Sequence, residues 1–253
     1  MITVKVKRLR KFLSNSFFHK KRNIMSIQAN LNTIKSSLPE NVTLVAVSKT
    51  KPVSDLMQAY EAGQRIFGEN KIQEMADKYE QMPKDIQWHM IGHVQTNKVK
   101  FMAPFVNLIH GVDSLKLLQE INKQALKNNR IIDCLLQIYI AEEESKFGLD
   151  EKELNELLSS SEFKEMKNIR ILGLMGMATF TENQNQIKKE FLHLKSIFDS
   201  LQNKDAQCRD TQQCISTAAH FSTISMGMSG DYQLAIECGS TMVRIGSSIF
   251  GGR

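Results

Sequence analysis

Short apolar runs alternate along this chain with longer stretches in which apolar side chains recur every three or four residues. The runs read as strands at Thr43–Val47, Gln64–Phe67, Gln87–Ile91, Val106–Gly111, Cys134–Ile140, Arg170–Met177, Thr223–Met228 and Met242–Ile245. Between them, Ile187, Phe191, Leu194, Ile197, Phe198 and Leu201 share one face of a helix predicted over Asn185–Leu201. Leu115, Leu118, Ile121, Ala125 and Leu126 do the same over Ser114–Asn128. Asp150 with Glu153, ahead of Leu154, Leu157 and Leu158, predicts an N-cap with a capping box. Ser54 and Gly63 are expected to cap and stop a further helix, and Ser26–Leu38 forms one more before the first strand. Asn203–His220 is polar and without period, which predicts a surface excursion ahead of strand seven.

The strands are continuous apolar runs, the pattern of strands covered on both faces. Eight such units in β–α alternation predict an α/β protein built as a single closed (β/α)8 TIM barrel, with a doubly wound open sheet as the alternative. A length of 253 residues, 42% hydrophobic, suits one such domain.

Charge changes the picture at one place. The net charge of +6 suggests a nucleic-acid partner, but residues 1–24 hold eight of the 33 Lys/Arg and no acid, leaving 25 basic against 27 acidic side chains. A nucleic-acid role would therefore rest on this leader alone, and none is expected. Residues 1–24 read either as a targeting peptide or as an extension ahead of Met25, with the barrel occupying 25–253. No apolar run reaches the 18 or so residues of a membrane span, and a cytoplasmic protein is expected. Cys134, Cys208, Cys214 and Cys238 form no metal-ligand pattern and are expected to be reduced thiols; no metal site is expected.

A barrel carries its chemistry where the strands end. Strand one ends in Ser48-Lys49-Thr50-Lys51, and strand two in Gly68-Glu69-Asn70-Lys71. Glu143-Glu144-Ser145-Lys146 follows strand five. A lysine such as Lys49, pressed against apolar surroundings and near Lys51, has its charged form disfavoured, and a neutral amine forms a Schiff base with a carbonyl. The competing expectation is that Lys49 snorkels to the rim and pairs with Glu69. The loops after strands seven and eight often bind phosphate in barrels. Here they read SMGMSGD over Ser225–Asp231, with Ser229 or Asp231 capping a helix Tyr232–Cys238, and Arg244-Ile245-Gly246-Ser247-Ser248. An amine facing a phosphate cradle suggests one ligand with both an aldehyde and a phosphate, pyridoxal 5′-phosphate (PLP).

The words LVAVSKTKP, FGENKIQE, WHMIGHVQTNK, EESKFGL, LGLMGMA, SMGMSGDYQLAI and GSTMVRIGSSIFG, in order from about residue 26 onward, resemble those of the pyridoxal phosphate homeostasis protein family. The resemblance implies a barrel of the alanine racemase N-terminal type with PLP carried on Lys49. It implies phosphate contacts from Ser225, from the backbone after Met226, and from Gly246 and Ser247. Arg244 would face the pyridine nitrogen and Asn70 would line the ring. An arginine there keeps that nitrogen unprotonated and weakens the ring as an electron sink. The leader and the length of Asn203–His220 depart from the family pattern.

Other readings remain open at this point. A PLP-dependent racemase or decarboxylase of this fold carries a second, β-rich domain, whereas only eight residues follow the last strand here. One face of the cofactor is then expected to lie open, which suits a carrier supplying PLP-dependent apo-enzymes, with no catalytic turnover. A class I aldolase using Lys49 without a cofactor is the reading from another class. A monomer or a weak homodimer is expected.

Overall fold

A computed structural model of the chain describes residues 26–142, 147–211 and 219–252, with the backbone alone over 205–211. Eight parallel strands close into a barrel in sequence order: β1 (Thr43–Val47), β2 (Ile66–Glu69), β3 (Gln87–Met90), β4 (Val106–Val112), β5 (Ile132–Gln137), β6 (Ile169–Met175), β7 (Ala219–Met228) and β8 (Met242–Ile245). β1 returns to pair with β8, Val45 opposite Arg244 and Ala46 opposite Ile245, so the sheet has no free edge.

Helices wrap the barrel: α1 (Ile27–Ser37), α2 (Val53–Glu61), α3 (Ile72–Gln81), α4 (Val99–Met102), α5 (Leu115–Lys127), α6 (Glu151–Ser159), α7 (Ser161–Lys164), α8 (Gln184–Thr211), α9 (Tyr232–Glu237) and α10 (Ser247–Phe250). Two separate apolar clusters explain why the strands read as unbroken runs. One fills the space between sheet and helices; the other, Val45, Leu108, Leu135, Met175 and Met242, plugs the barrel itself. Strand residues therefore meet hydrocarbon whichever way they point.

Local signals explain several helix ends. Ser26 accepts the Ala29 N–H and starts α1, and Asp150 and Glu153 form the expected capping box of α6. Ser114 caps α5 by accepting the Leu117 N–H. α2 begins differently from expectation. Pro52 occupies its N-cap and Ser54 lies within the first turn, because a proline just ahead of the helix needs no N–H partner. Gly63, at φ +84°, follows its C-cap as expected.

The largest departure is α8, which runs 28 residues to Thr211 where 203 onward read as irregular. Leu201 is the last buried residue of its apolar stripe. The following residues to Thr211 contain no glycine or proline to stop the helix, and their apolar positions carry no helical period in the sequence. Residues 212–218, the leader 1–24 and Glu143 to Lys146 lie outside the described residues. Among the described residues no helix is long and apolar enough to cross a membrane.

Phe191 is fully buried on the α8 face that packs against β7. Phe191→Ala is expected to lower stability by about 3–5 kcal/mol, read from urea unfolding, because the cavity lies in the wall that closes the barrel.

Candidate functional site

At the C-terminal mouth of the barrel a cleft of about 260 Å³ is lined by residues from six of the eight strands and the turns after them, among them Lys49, Asn70, Met228, Ser229, Arg244, Gly246 and Ser247. Lys49 stands two residues past β1 in a turn closed by the Lys51 N–H on the Ser48 carbonyl at 3.1 Å. It is half-buried, and its amine makes no hydrogen bond or ion pair among the described residues. The expected pairing of Lys49 with Glu69 does not occur, because Glu69 is already engaged. Its Oε1 accepts the Ser48 hydroxyl at 2.6 Å and the Lys78 ammonium at 2.8 Å.

That arrangement has unusual backbone support. Thr50 has φ +63°, a left-handed conformation that costs a non-glycine residue about 1–2 kcal/mol. Its N–H donates to Glu74 Oε1 at 2.6 Å. Burial pushes the Glu69 carboxyl above the usual carboxylate range, with Lys78 and Ser48 opposing, and its Oε2 is buried without a partner. Lys51, the other amine of this turn, is not free. Its Nζ donates to the carbonyls of Phe250, Gly251 and Gly252, each at 3.1 Å.

Asn70 follows β2 directly, on a backbone pressed against β3. A Cβ at Gly92 would stand 2.5 Å from the Asn70 carbonyl oxygen, so only glycine fits there. On the opposite wall Ser229 accepts the Gly246 N–H at 3.2 Å, and a Cβ at Gly246 would meet the Val47 carbonyl at 3.0 Å. Asp231 occupies the N-cap position of α9, yet its carboxylate takes the Met228 N–H at 2.5 Å and does not cap the helix.

Beneath the cleft lies Arg244, 4% exposed and with no ion pair within 4.0 Å among the described residues. Nη1 donates to the Ser225 carbonyl at 2.9 Å and hydroxyl at 2.7 Å, and Nη2 to the Gly176 carbonyl at 3.0 Å. Burial lowers its pKa to about 10, so it stays charged near neutrality. From Ser225 the chain of contacts crosses the barrel: Ser225 Oγ to His110 Nδ1 at 3.1 Å, then His110 Nε2 to His89 Nδ1 at 3.1 Å. Burial, with His89 and Arg244 adding to it, holds His110 well below the ordinary imidazole value, and burial alone takes His89 to about 3. Both rings are neutral, and one proton pattern uses every contact. Arg244 donates to Ser225, Ser225 to His110, and His110 Nε2–H to His89.

With this geometry in place, comparison with known proteins becomes informative. The family described as alanine racemase, N-terminal domain matches residues 23–253. The chain is 36% identical over 242 residues to a pyridoxal phosphate homeostasis protein of Haemophilus influenzae, covering 90% of this chain and 97% of that one. It is 38% identical over 236 residues to one of Schizosaccharomyces pombe, covering 90% and 93%. The chain belongs to the pyridoxal phosphate homeostasis protein family. A solved relative, PipY of Synechococcus elongatus with PLP bound, superposes with TM-score 0.76 at 31% identity over 89% of this chain and all of that one. Alanine racemase of Bartonella henselae, at 19% identity and TM-score 0.65, shares the barrel fold over 58% of its own length.

Five of the seven residues singled out from the sequence line the cleft of this family member: Lys49, Asn70, Arg244, Gly246 and Ser247. Ser225 and Met226 do not. Ser225 is fully buried under Arg244, and the Met226 side chain lies in the outer core while its carbonyl accepts the Ser240 hydroxyl at 2.8 Å. The β7–β8 register shifts between Ser225 and Met228, which moves Ser229 to the place at the cleft that Ser225 was expected to fill. His89, His110 and Lys78 went unrecognised. The one signal for the histidines was a polar ring near the end of each of two otherwise apolar strands. Among the described residues no cluster of His, Cys, Asp or Glu could hold a metal ion, and Cys134 and Cys238 are free buried thiols, both pushed up by burial. The side chains of Cys208 and Cys214 lie outside the described residues.

The neutral histidines give a signed pH effect. Their folded pKa values lie below the unfolded value near 6.5, so the unfolded chain binds more protons in acid. Their stabilisation is complete above about pH 6.5 and falls toward pH 3, by about 1.4 kcal/mol per pH unit per histidine. Glu69, raised, acts with the opposite sign. Urea midpoints measured between pH 7 and pH 5 are expected to drop less in His89→Gln than in the parent chain.

Proposed function

We propose that the protein binds pyridoxal 5′-phosphate in this cleft and takes part in its intracellular homeostasis, carrying the coenzyme on Lys49. The observation that carries the reading is an unpartnered amine facing hydroxyls and a buried, unpaired guanidinium across one small cavity. When bound, PLP supplies an aldehyde that condenses with a primary amine, forming C=N and releasing water.

The chain's own groups fit such a ligand. Ser229, Ser247 and the Gly246 backbone, which a side chain would crowd, form a neutral, hydroxyl-rich wall for the phosphate. The phosphate contact first read at Ser225 and Met226 therefore passes to Ser229. Ser225 would act through Arg244, holding the guanidinium to face the pyridine nitrogen of a bound coenzyme. Arg244 has N–H bonds to spare and donates only, so it would keep that nitrogen unprotonated. Asn70 would line the ring.

A carrier without turnover follows from the same inventory. Among the described lining residues the titratable side chains are Lys49, Lys51 and Arg244. Lys51 has its hydrogens committed to carbonyls, and Arg244 does not exchange protons near neutrality. Among the described residues that line the cleft, none offers a second acid–base group opposite Lys49 to complete two-base racemisation. The relatives' name supports a homeostatic role. In this reading the protein works in the cytoplasm beside the apo-enzymes that take up the coenzyme.

Borohydride treatment of the protein with PLP is expected to leave a pyridoxyl group on the peptide containing Lys49, and none in Lys49→Ala. A label elsewhere, or a colourless mixture with no label, would favour an aldolase or another ligand. Racemase or decarboxylase turnover at ordinary enzymatic rates would overturn the carrier role. Ser229→Ala should weaken PLP binding about tenfold, the loss of one hydrogen bond to a charged group, measured by equilibrium dialysis.

A further inference from the structure

The cleft reading leaves one buried lysine unused. Lys78, on α3, gives its three hydrogens to the Ser48 carbonyl at 2.8 Å, Glu69 Oε1 at 2.8 Å and Glu74 Oε1 at 2.7 Å. All three acceptors lead to the turn that carries Lys49. The Ser48 carbonyl belongs to the residue just before it, and Glu69 Oε1 also receives the Ser48 hydroxyl. Glu74 Oε1 receives the N–H of Thr50, the residue just after, and so secures a left-handed backbone that a threonine does not adopt unaided.

We propose that Lys78 is a positioning residue for Lys49, fixing the Ser48–Lys51 turn through Glu69 and Glu74 so that the Lys49 amine points into the cleft. The inference rests on Lys49 being the amine that meets the aldehyde. A buried ammonium with two carboxylates is an expensive way to fill space, since a hydrophobic side chain of that volume often serves stability as well or better. What the ammonium alone provides is three directed hydrogen bonds, and here all of them end on one turn or on a group bonded to it. Ser229, Gly246, Ser247 and Arg244 share no hydrogen bond with the Lys78 network. Condensation at Lys49 therefore depends on Lys78, while the grip on the phosphate and ring does not.

Two ligands separate these effects. Pyridoxine 5′-phosphate, an alcohol in place of the aldehyde, reports grip, and PLP reports condensation through its visible absorbance and borohydride trapping. Lys78→Met is expected to bind the alcohol within about twofold of the parent chain and to condense with PLP about ten- to a hundredfold more slowly. Glu74→Gln, which leaves the buried pair in place, should slow condensation in the same direction by less. Condensation at the parental rate in folded Lys78→Met overturns the proposal, as does equal weakening of both ligands. If Lys78→Met does not fold, Glu74→Gln decides alone, and a parental rate there overturns it. Unchanged condensation in Lys49→Ala would instead remove the parent reading, an outcome distinct from these.

Discussion

Closing eight parallel strands leaves the inside of the barrel without bulk water, so every polar group there has to find its partners among its neighbours. Part of the interior meets this constraint with hydrocarbon, through Val45, Leu108, Leu135, Met175 and Met242. Toward the C-terminal mouth polar groups enter, and they come in connected sets. Arg244, Ser225, His110 and His89 make one chain across the interior; Lys78, Glu69, Glu74 and Ser48 make another between β1, β2 and α3. Loss of a partner from either set would strand a further charge or dipole in low dielectric, beside the Glu69 Oε2 that already lacks one. The cleft rests on both.

The two sets handle charge differently. Around Lys78 the cation is offset by carboxylates, one of them with a raised proton affinity and an oxygen left without a partner. Around Arg244 no carboxylate among the described residues comes within 4.0 Å, although Asp231 acts on it from further away, and carbonyl oxygens and a hydroxyl hold the guanidinium instead. Neutral acceptors orient a cation without cancelling it. The positive field under the cleft is therefore available to a ligand, and His110 behind it stays uncharged in part because it is there.

Much of this was legible in the chain. β1 and β8 were placed to the residue because each is an apolar run between turn-forming neighbours. β2 was read two residues early, since Glu69 looks like the start of a loop and is in fact a buried strand residue satisfied by Lys78 from nine positions on. That partnership is invisible to hydrophobic periodicity. α8 was cut short for the converse reason: beyond Leu201 its sequence carries no apolar period, which is the signal by which a helix is read. In the cleft, Lys49, Gly246 and Ser247 were identified by their position after strands, Arg244 by its place near the end of one, and Asn70 through the family resemblance. That Ser229 and not Ser225 lines the cleft was not legible. Two serines four apart differ in orientation only through the register shift between them, which depends on β8. The histidine pair needed β3 and β4 to be laid side by side, and its link to Ser225 needed β4 and β7 to face each other across the barrel.

The last turn of the chain bears on chemical selectivity at the mouth. Asn30 of α1 holds the Ile249 carbonyl at 3.0 Å, and the next three carbonyls converge on Lys51. With three hydrogens given to carbonyls, the Lys51 nitrogen has none left for a ligand, whereas the Lys49 amine two residues away has no such partner among the described residues. In the proposed reading the backbone of this turn, without contributing a side chain, would act as a protecting group that leaves a single nitrogen to an incoming aldehyde.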